Sequence, residues 1–404
     1  MDKTTKKKNL ALEFILLFGL ISALGDITYE GARSIYGSYL GVLGANAVAV
    51  GLITGFGEFL GYAIRAVSGY FIDKTGNSWI VTTIGYAMLI SVPLLALAEH
   101  WEIAALFIIL ERIGKAVRSP GKDTMISHAT KHIGSGFGFG ISEALDQIGA
   151  IIGPLIFTVC LSSFGGYKQG VQIMWAPAIL TIAVVLYTKH KYPNPSQFET
   201  ITVSGGAANQ KPQASKRKVS ADYWLYSLFI FFSVLGFAGF PILSYHFLFQ
   251  RILNQAAIPT LYAVAMAIDG LLAVFIGKLY DRMGIKVLVS ISLLSIAVSV
   301  LGFSTSTAFA VISILLWGCV MSIHETVMKA AISDITPVAD RGKAFGYFNT
   351  IYGMAMLIGN SAMGFIYERS VLYVILYAVI IEVLSIAVFL AFINNLKREQ
   401  RKRS

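Results

Sequence analysis

Apolar residues run through this chain in twelve long stretches separated by short polar gaps. They lie near positions 12–39, 47–72, 79–98, 102–127, 135–160, 170–189, 222–249, 257–279, 286–304, 308–332, 342–367 and 371–395. A helix needs ~20 mostly apolar residues to cross a bilayer, and each stretch comes close to that length. The pattern predicts an all-α membrane protein with twelve transmembrane helices. The runs form two sets of six, residues 1–189 and 222–404, joined by residues 190–221. That joint holds Pro193, Pro195, Pro212, the pair Gly205-Gly206 and a basic run, the composition of a flexible linker.

The second set repeats the first. Ile126-Ser127 returns as Ile332-Ser333, Phe139-Gly140 as Phe345-Gly346 and Gly153 as Gly359, each 206 positions on. The charges of the first copy are largely stripped out of the second. Glu111, Arg112, Lys115, Arg118, Lys122, Glu143 and Asp146 all fall on the fourth and fifth predicted helices. A lipid-facing surface could not carry them.

Composition agrees with the pattern. Hydrophobic residues make up 56% of the 404 positions and charged residues only 13%, against roughly 25% charged in soluble domains. The formal net charge of +10 is not a nucleic-acid signature, because it sits in alternate gaps. Lys3, Lys6, Lys7 and Lys8 precede the first span. Lys397, Arg398, Arg401, Lys402 and Arg403 follow the last, and Lys211, Lys216, Arg217 and Lys218 fill the middle joint. Short loops rich in Lys and Arg stay in the cytoplasm, so both termini and the joint are expected there, in a multi-pass protein of the cytoplasmic membrane. The first span lacks a small-residue cleavage site and reads as a retained helix. Cys160 and Cys319 fall inside spans of different halves and read as packing residues.

Two gaps carry the same polar motif. Gly69, Asp73, Lys74 and Gly76 lie between spans 2 and 3; Gly277, Asp281, Arg282 and Gly284 lie between spans 8 and 9, 208 positions on. A carboxylate and a cation at a helix end, with glycines turning the chain, can latch one helix end to its neighbour and release it. Two six-helix halves with this loop motif in duplicate resemble the major facilitator superfamily. Helix 5 adds Gly140, Gly149, Gly153 and Pro154, similar to the signature that antiporters of that superfamily carry where the halves meet. Phe157-Thr158 stand where the signature closes with a glycine pair. The run from Glu111 to Ser127 resembles bacterial and archaeal efflux permeases. The resemblance implies two pseudo-symmetric six-helix bundles, alternating access, and a central cavity lined by helices 1, 4, 7 and 10.

Ionisable groups inside spans are costly unless they face a cavity or each other, so each is a functional candidate. Asp26, Glu30 and Arg33 lie at i, i+4 and i+7 on helix 1, one face of that helix. Asp26 and Glu30 are candidates for proton coupling; the plainer reading is an ion pair between Glu30 and Arg33. On helix 4, Lys115, Arg118 and Lys122 form a basic stripe with Glu111. Lys115 and Lys122 read equally well as side chains reaching back to the interface, whereas Arg112 sits too deep for that. Taking helices 4 and 5 as antiparallel about a turn near residue 130 pairs Arg112 with Asp146 and Arg118 with Glu143 at equal depth. A face of Asp146 turned to the other half is the rival. Pro120-Gly121 is expected to break helix 4. The C-terminal half is sparser, with His246, His324 and Glu325 as cavity candidates. His128 and His132 alone do not make a metal site, and no metal or cofactor is expected.

These features predict a secondary transporter, driven by the proton gradient, that expels a drug-like, cationic or metal substrate. The basic stripe of helix 4 favours an organic anion or phosphate ester instead, and a non-transporting sensor on the same fold is a third reading. The sequence has no G-x4-G-K-[ST] run, which an ATP-driven pump would need. A monomer in the lipid bilayer, acting on a small molecule or ion and on no nucleic acid, is the expected form. Nothing points to an enzyme.

Overall fold

The computed structural model describes residues 3–130, 133–198, 221–336 and 341–403, and among them there is no strand. Sixteen α-helices follow one another. The first group is α1 (Lys3–Arg33), α2 (Tyr36–Val42), α3 (Ala47–Thr75), α4 (Ser78–Ala87), the short α5 (Ser91–Leu94) and α6 (Trp101–Thr130). Then come α7 (Ser135–Phe164), α8 (Tyr167–Ile173), α9 (Trp175–Lys191), α10 (Ala221–Leu235) and α11 (Phe240–Phe249). The last are α12 (Ala257–Met283), α13 (Val289–Gly302), α14 (Thr307–Ile335), α15 (Arg341–Tyr367) and α16 (Val371–Arg403). Most of the joint at 190–221 lies outside the described residues.

Nine helical stretches among the described residues are long and apolar enough to cross a membrane, and one of them, Ala257–Gly302, contains two of the twelve runs. The other two runs are α6 and α15, helices of 30 and 27 residues that carry more polar groups. Twelve membrane helices result. Pro120 does not break α6 as expected: the helix is continuous through it. The Ser68 hydroxyl of α3 donates to the Val117 carbonyl at 2.8 Å beside the proline turn, where the missing proline N–H disturbs the helical ladder.

Packing divides the chain into two compact units, residues 1–35 with 60–210 and residues 36–59 with 211–404. This grouping cuts α3, unlike the repeat boundaries marked on the sequence. In the first unit, Phe14, Phe18 and Trp79 form an aromatic core with Tyr192 and Phe198. The Trp79 indole donates to the Tyr192 carbonyl at 3.0 Å. In the second unit, the Gly51 Cβ position lies 3.3 Å from the Gly364 Cα, and that of Gly359 lies 3.1 Å from the Leu235 Cα. Small residues let backbones approach where apolar burial supplies no drive between helices. The two motif copies end alike, with Gly76 at φ 69° and Gly284 at φ 62°, a backbone conformation that glycine adopts without steric cost. Asp73, Lys74, Asp281 and Arg282 are exposed beside these turns.

Candidate functional site: a charge cluster on α1, α6 and α7

Three close backbone approaches build the site in the first unit. A Cβ on Gly153 of α7 would lie 3.0 Å from the Gly31 Cα of α1, and Gly149 sits equally close, 3.0 Å from the Ala23 Cα. On the other side of α6, a Cβ on Gly85 of α4 would meet the Arg118 nitrogen at 2.6 Å and the Gly114 oxygen at 2.7 Å. The family signature assigns Gly149 and Gly153 to packing between halves. In the structure they seat α7 on α1 of the same unit, and Gly140 has nothing within 4 Å of its Cβ position. Pro154 follows within an unbroken α7.

With the helices drawn together, the ionisable side chains meet one another. The Lys122 ammonium lies 2.8 Å from the Asp146 carboxylate and donates to the Ser22 hydroxyl at 2.9 Å. The Lys115 ammonium is 3.4 Å from Glu30, and Arg33 is 3.6 Å from the same carboxylate. Asp26 stands in the field of Lys115, Lys122, Asp146 and Glu30, between the two ion pairs. The plainer reading of Glu30 with Arg33 is thus present, but Lys115 shares the carboxylate.

Tyr29 is the hub on α1. Arg112 hydrogen-bonds its hydroxyl. The Lys115 ammonium lies 3.5 Å from its ring centroid, the Arg112 guanidinium 5.0 Å and that of Arg118 5.9 Å. Cations over an aromatic face are attracted by the ring quadrupole. Arg118 also lies 5.0 Å from the Tyr86 ring. Arg112 and Arg118 are each only 4% exposed, and one Arg118 terminal nitrogen has no hydrogen-bond partner. Glu111, 1% exposed, lies 3.9 Å from Arg112.

The depth matching read from sequence requires correction. Asp146 pairs with Lys122, not Arg112, because the chain reverses at Gly134, whose φ is 97°, and not near residue 130. Lys122 and Asp146 lie twelve positions on either side of that glycine. Moving the turn by four residues moves the partner at equal depth by eight, about 12 Å of helix, enough to choose a different partner. The glycine in Ile133-Gly134-Ser135-Gly136 was the available signal. Arg118 is buried whereas Glu143 is exposed. Lys122 and Lys115 are site residues that interface-reaching readings undervalue, and Tyr29 joins them.

The second unit places its candidates separately from one another. The His246 Nδ1 is 2.9 Å from the Tyr367 hydroxyl, and the ring stands edge-on to Phe303. The His324 Nδ1 is 3.0 Å from the Tyr352 hydroxyl, with Phe237 against the ring. Both histidines are buried and Glu325 is exposed. Among the described residues no group of three or more His, Cys, Asp or Glu converges as a metal site; His132 lies outside them.

The described helices are those of a polytopic membrane protein whose charged side chains meet inside the first unit, and comparison with known proteins gives the family. The sequence profile of the Major Facilitator Superfamily matches residues 12–284 and 241–404. An uncharacterized protein of Mycobacterium tuberculosis is 36% identical over 384 residues, covering 94% of this chain and 93% of the relative. The class H tetracycline resistance protein of Pasteurella multocida is 28% identical over 159 residues, covering 38% of this chain and 40% of that protein. Among solved structures, the nucleoside transporter NupG superposes with a TM-score of 0.71 at 18% identity, over 95% of this chain and 99% of that one. The chain belongs to the major facilitator superfamily. It is a multi-pass membrane transporter and not an enzyme.

Proposed function

We propose that this protein is a proton-coupled exporter of a small molecule, working by alternating access in the cytoplasmic membrane. The observation that carries the reading is Asp26, a carboxyl at membrane depth set between the pairs Lys122–Asp146 and Lys115–Glu30. A proton arriving on one acid frees a lysine to move to another, and that exchange can bias a conformational equilibrium. Ionisable groups at such depth are expensive and mark ion pathways. The partial likeness to a tetracycline resistance protein supports export. The Lys and Arg asymmetry supports cytoplasmic termini, and the protein is taken to act as a monomer.

The test is reconstitution in liposomes with an imposed pH gradient and a lumenal pH dye. Substrate candidates of either charge should dissipate the gradient when transported. Absence of any substrate-dependent proton movement across a broad screen, with gradient-independent transport intact, overturns proton coupling. One observation favours a second reading of the cargo. The buried Arg118 keeps a guanidinium nitrogen without a partner, which suits an organic anion or phosphate ester.

A further inference from the structure

Glu382, in the middle of α16, belongs to no feature described above. Its side chain is completely buried in the second unit. Neither carboxyl oxygen makes a hydrogen bond of ordinary geometry, although the Ser292 and Ser295 hydroxyls of α13 face it. The neighbourhood is built from oxygen. Ser292 donates to Ser385 at 3.0 Å, and Ser385, one turn from Glu382, donates to the Phe229 carbonyl of α10 at 3.3 Å. The buried hydroxyls of Ser233 and Ser299, on α10 and α13, have no hydrogen-bond partner among the described residues. Among the described residues, no charged group contributes to the surroundings of Glu382.

The backbone adds to the imbalance. Helix α10 stops at Leu235, and α11 resumes at Phe240, so residues 236–239 form a break inside one membrane span. The carboxyl lies against that break: a Cβ on Gly236 would be 3.0 Å from the Glu382 Cγ and 3.2 Å from its Cδ. A helix C-terminus carries roughly half a negative charge. A buried acid is therefore placed at the negative end of a helix, with only serine hydroxyls facing it, at a depth where an uncompensated charge costs several kcal/mol.

We propose that Glu382, with Ser292 and Ser295 beside the C-terminal end of α10, forms a binding site for a sodium ion. One carboxylate balances one positive charge, whereas a divalent ion would leave an excess in the membrane interior. An all-oxygen ligand set suits a hard cation, and broken helices in transporters present their C-terminal carbonyls to such ions. A proton on Glu382 would remove the charge but would leave the negative end of the α10 dipole uncompensated.

The test uses the full-length protein purified in detergent. Its melting temperature is followed in sodium chloride and in choline chloride of equal ionic strength. A ligand bound only by the folded state raises the melting temperature, so sodium should stabilise the wild type and Glu382→Gln should abolish the response. If Glu382→Gln does not fold, Ser295→Ala serves instead, with half-maximal stabilisation at about tenfold higher sodium, the scale of one lost polar contact. A hydrophobic carbodiimide supplies a second readout, since it modifies protonated buried carboxyls. Sodium should protect Glu382 from it, as seen by mass spectrometry of the peptide. Equal melting in sodium and choline, or labelling of Glu382 unchanged by sodium, overturns the site and assigns the residue to a proton. These readouts involve no transport, so they succeed or fail independently of proton-coupled export.

Discussion

The Lys122 ammonium and the Asp146 carboxylate stand 2.8 Å apart, bridging α6 and α7 with both side chains less than one-fifth exposed. Removing one partner of a buried pair strands the other charge, typically at a cost of ~3–5 kcal/mol. Lys122→Ala and Asp146→Ala should each lower the melting temperature of the purified protein and abolish transport. The swap Lys122→Asp with Asp146→Lys should recover part of the lost stability. Equal destabilisation by the swap and by the sum of its two single reversals would exclude the pairing.

Asp26 makes a different prediction, because it lies between pairs and not inside one. Asp26→Asn preserves shape and should leave expression and melting unchanged while eliminating pH-driven transport in liposomes. Substrate exchange without a gradient should survive. Normal gradient-driven accumulation by this variant removes Asp26 from the coupling.

The glycines of α7 can be separated by substitution. Gly153→Leu pushes a side chain into the Ile27 carbonyl and the α1 backbone, and it should prevent folding, read as loss of a monodisperse peak in detergent. Gly140→Leu meets open space and should change stability by no more than ~0.5 kcal/mol, the usual range at an uncontacted surface position.

The Tyr29 hydroxyl and ring do separate work. Tyr29→Phe keeps the aromatic face under Lys115 and Arg118 but removes the hydrogen-bond acceptor of Arg112. It should destabilise by ~1–3 kcal/mol, the cost of an unsatisfied buried donor to which charge adds. Tyr29→Ala should lose more, and the difference between the two melting temperatures measures the ring contribution.

Orientation in the membrane is tested by thiol labelling. With Cys160 and Cys319 replaced by serine, cysteines introduced at Ser204 and Ser404 should resist an impermeant reagent added to intact cells. Labelling of either reverses the orientation inferred from the basic loops.

The periodicity of apolar runs carries the fold nearly whole, because twenty apolar residues in a bilayer have one stable backbone solution. The duplicated loop motif carries the family. The site is legible only as a set of residues: charges at membrane depth identify Asp26, Glu30, Arg112 and Asp146 as members. Who pairs with whom depends on the register of α6 against α7, and a turn misplaced by four residues exchanges Lys122 for Arg112. The close approach of α7 to α1 is likewise hidden, since Gly149 and Gly153 look the same whichever backbone they face. Glu382 could be seen as an intramembrane acid, but the serine surroundings and the break after Leu235 require three helices in space.

The polarity of α6 has a consequence for how the chain enters the membrane during synthesis. Each central Lys, Arg or Asp opposes transfer of a helix from the translocon into lipid by about 2.5–3.5 kcal/mol, and α6 carries Glu111, Arg112, Lys115 and Arg118 within eight residues. Such a helix does not partition into lipid alone. Its counter-charges arrive partly before it, on α1, and partly after it, with Asp146 on α7. The segment is therefore expected to insert against α1, which supplies Tyr29 and Glu30 to Arg112 and Lys115, with Lys122 gaining its counter-charge once α7 follows. The ion pairs of the finished transporter are thus also what makes its fourth span insertable.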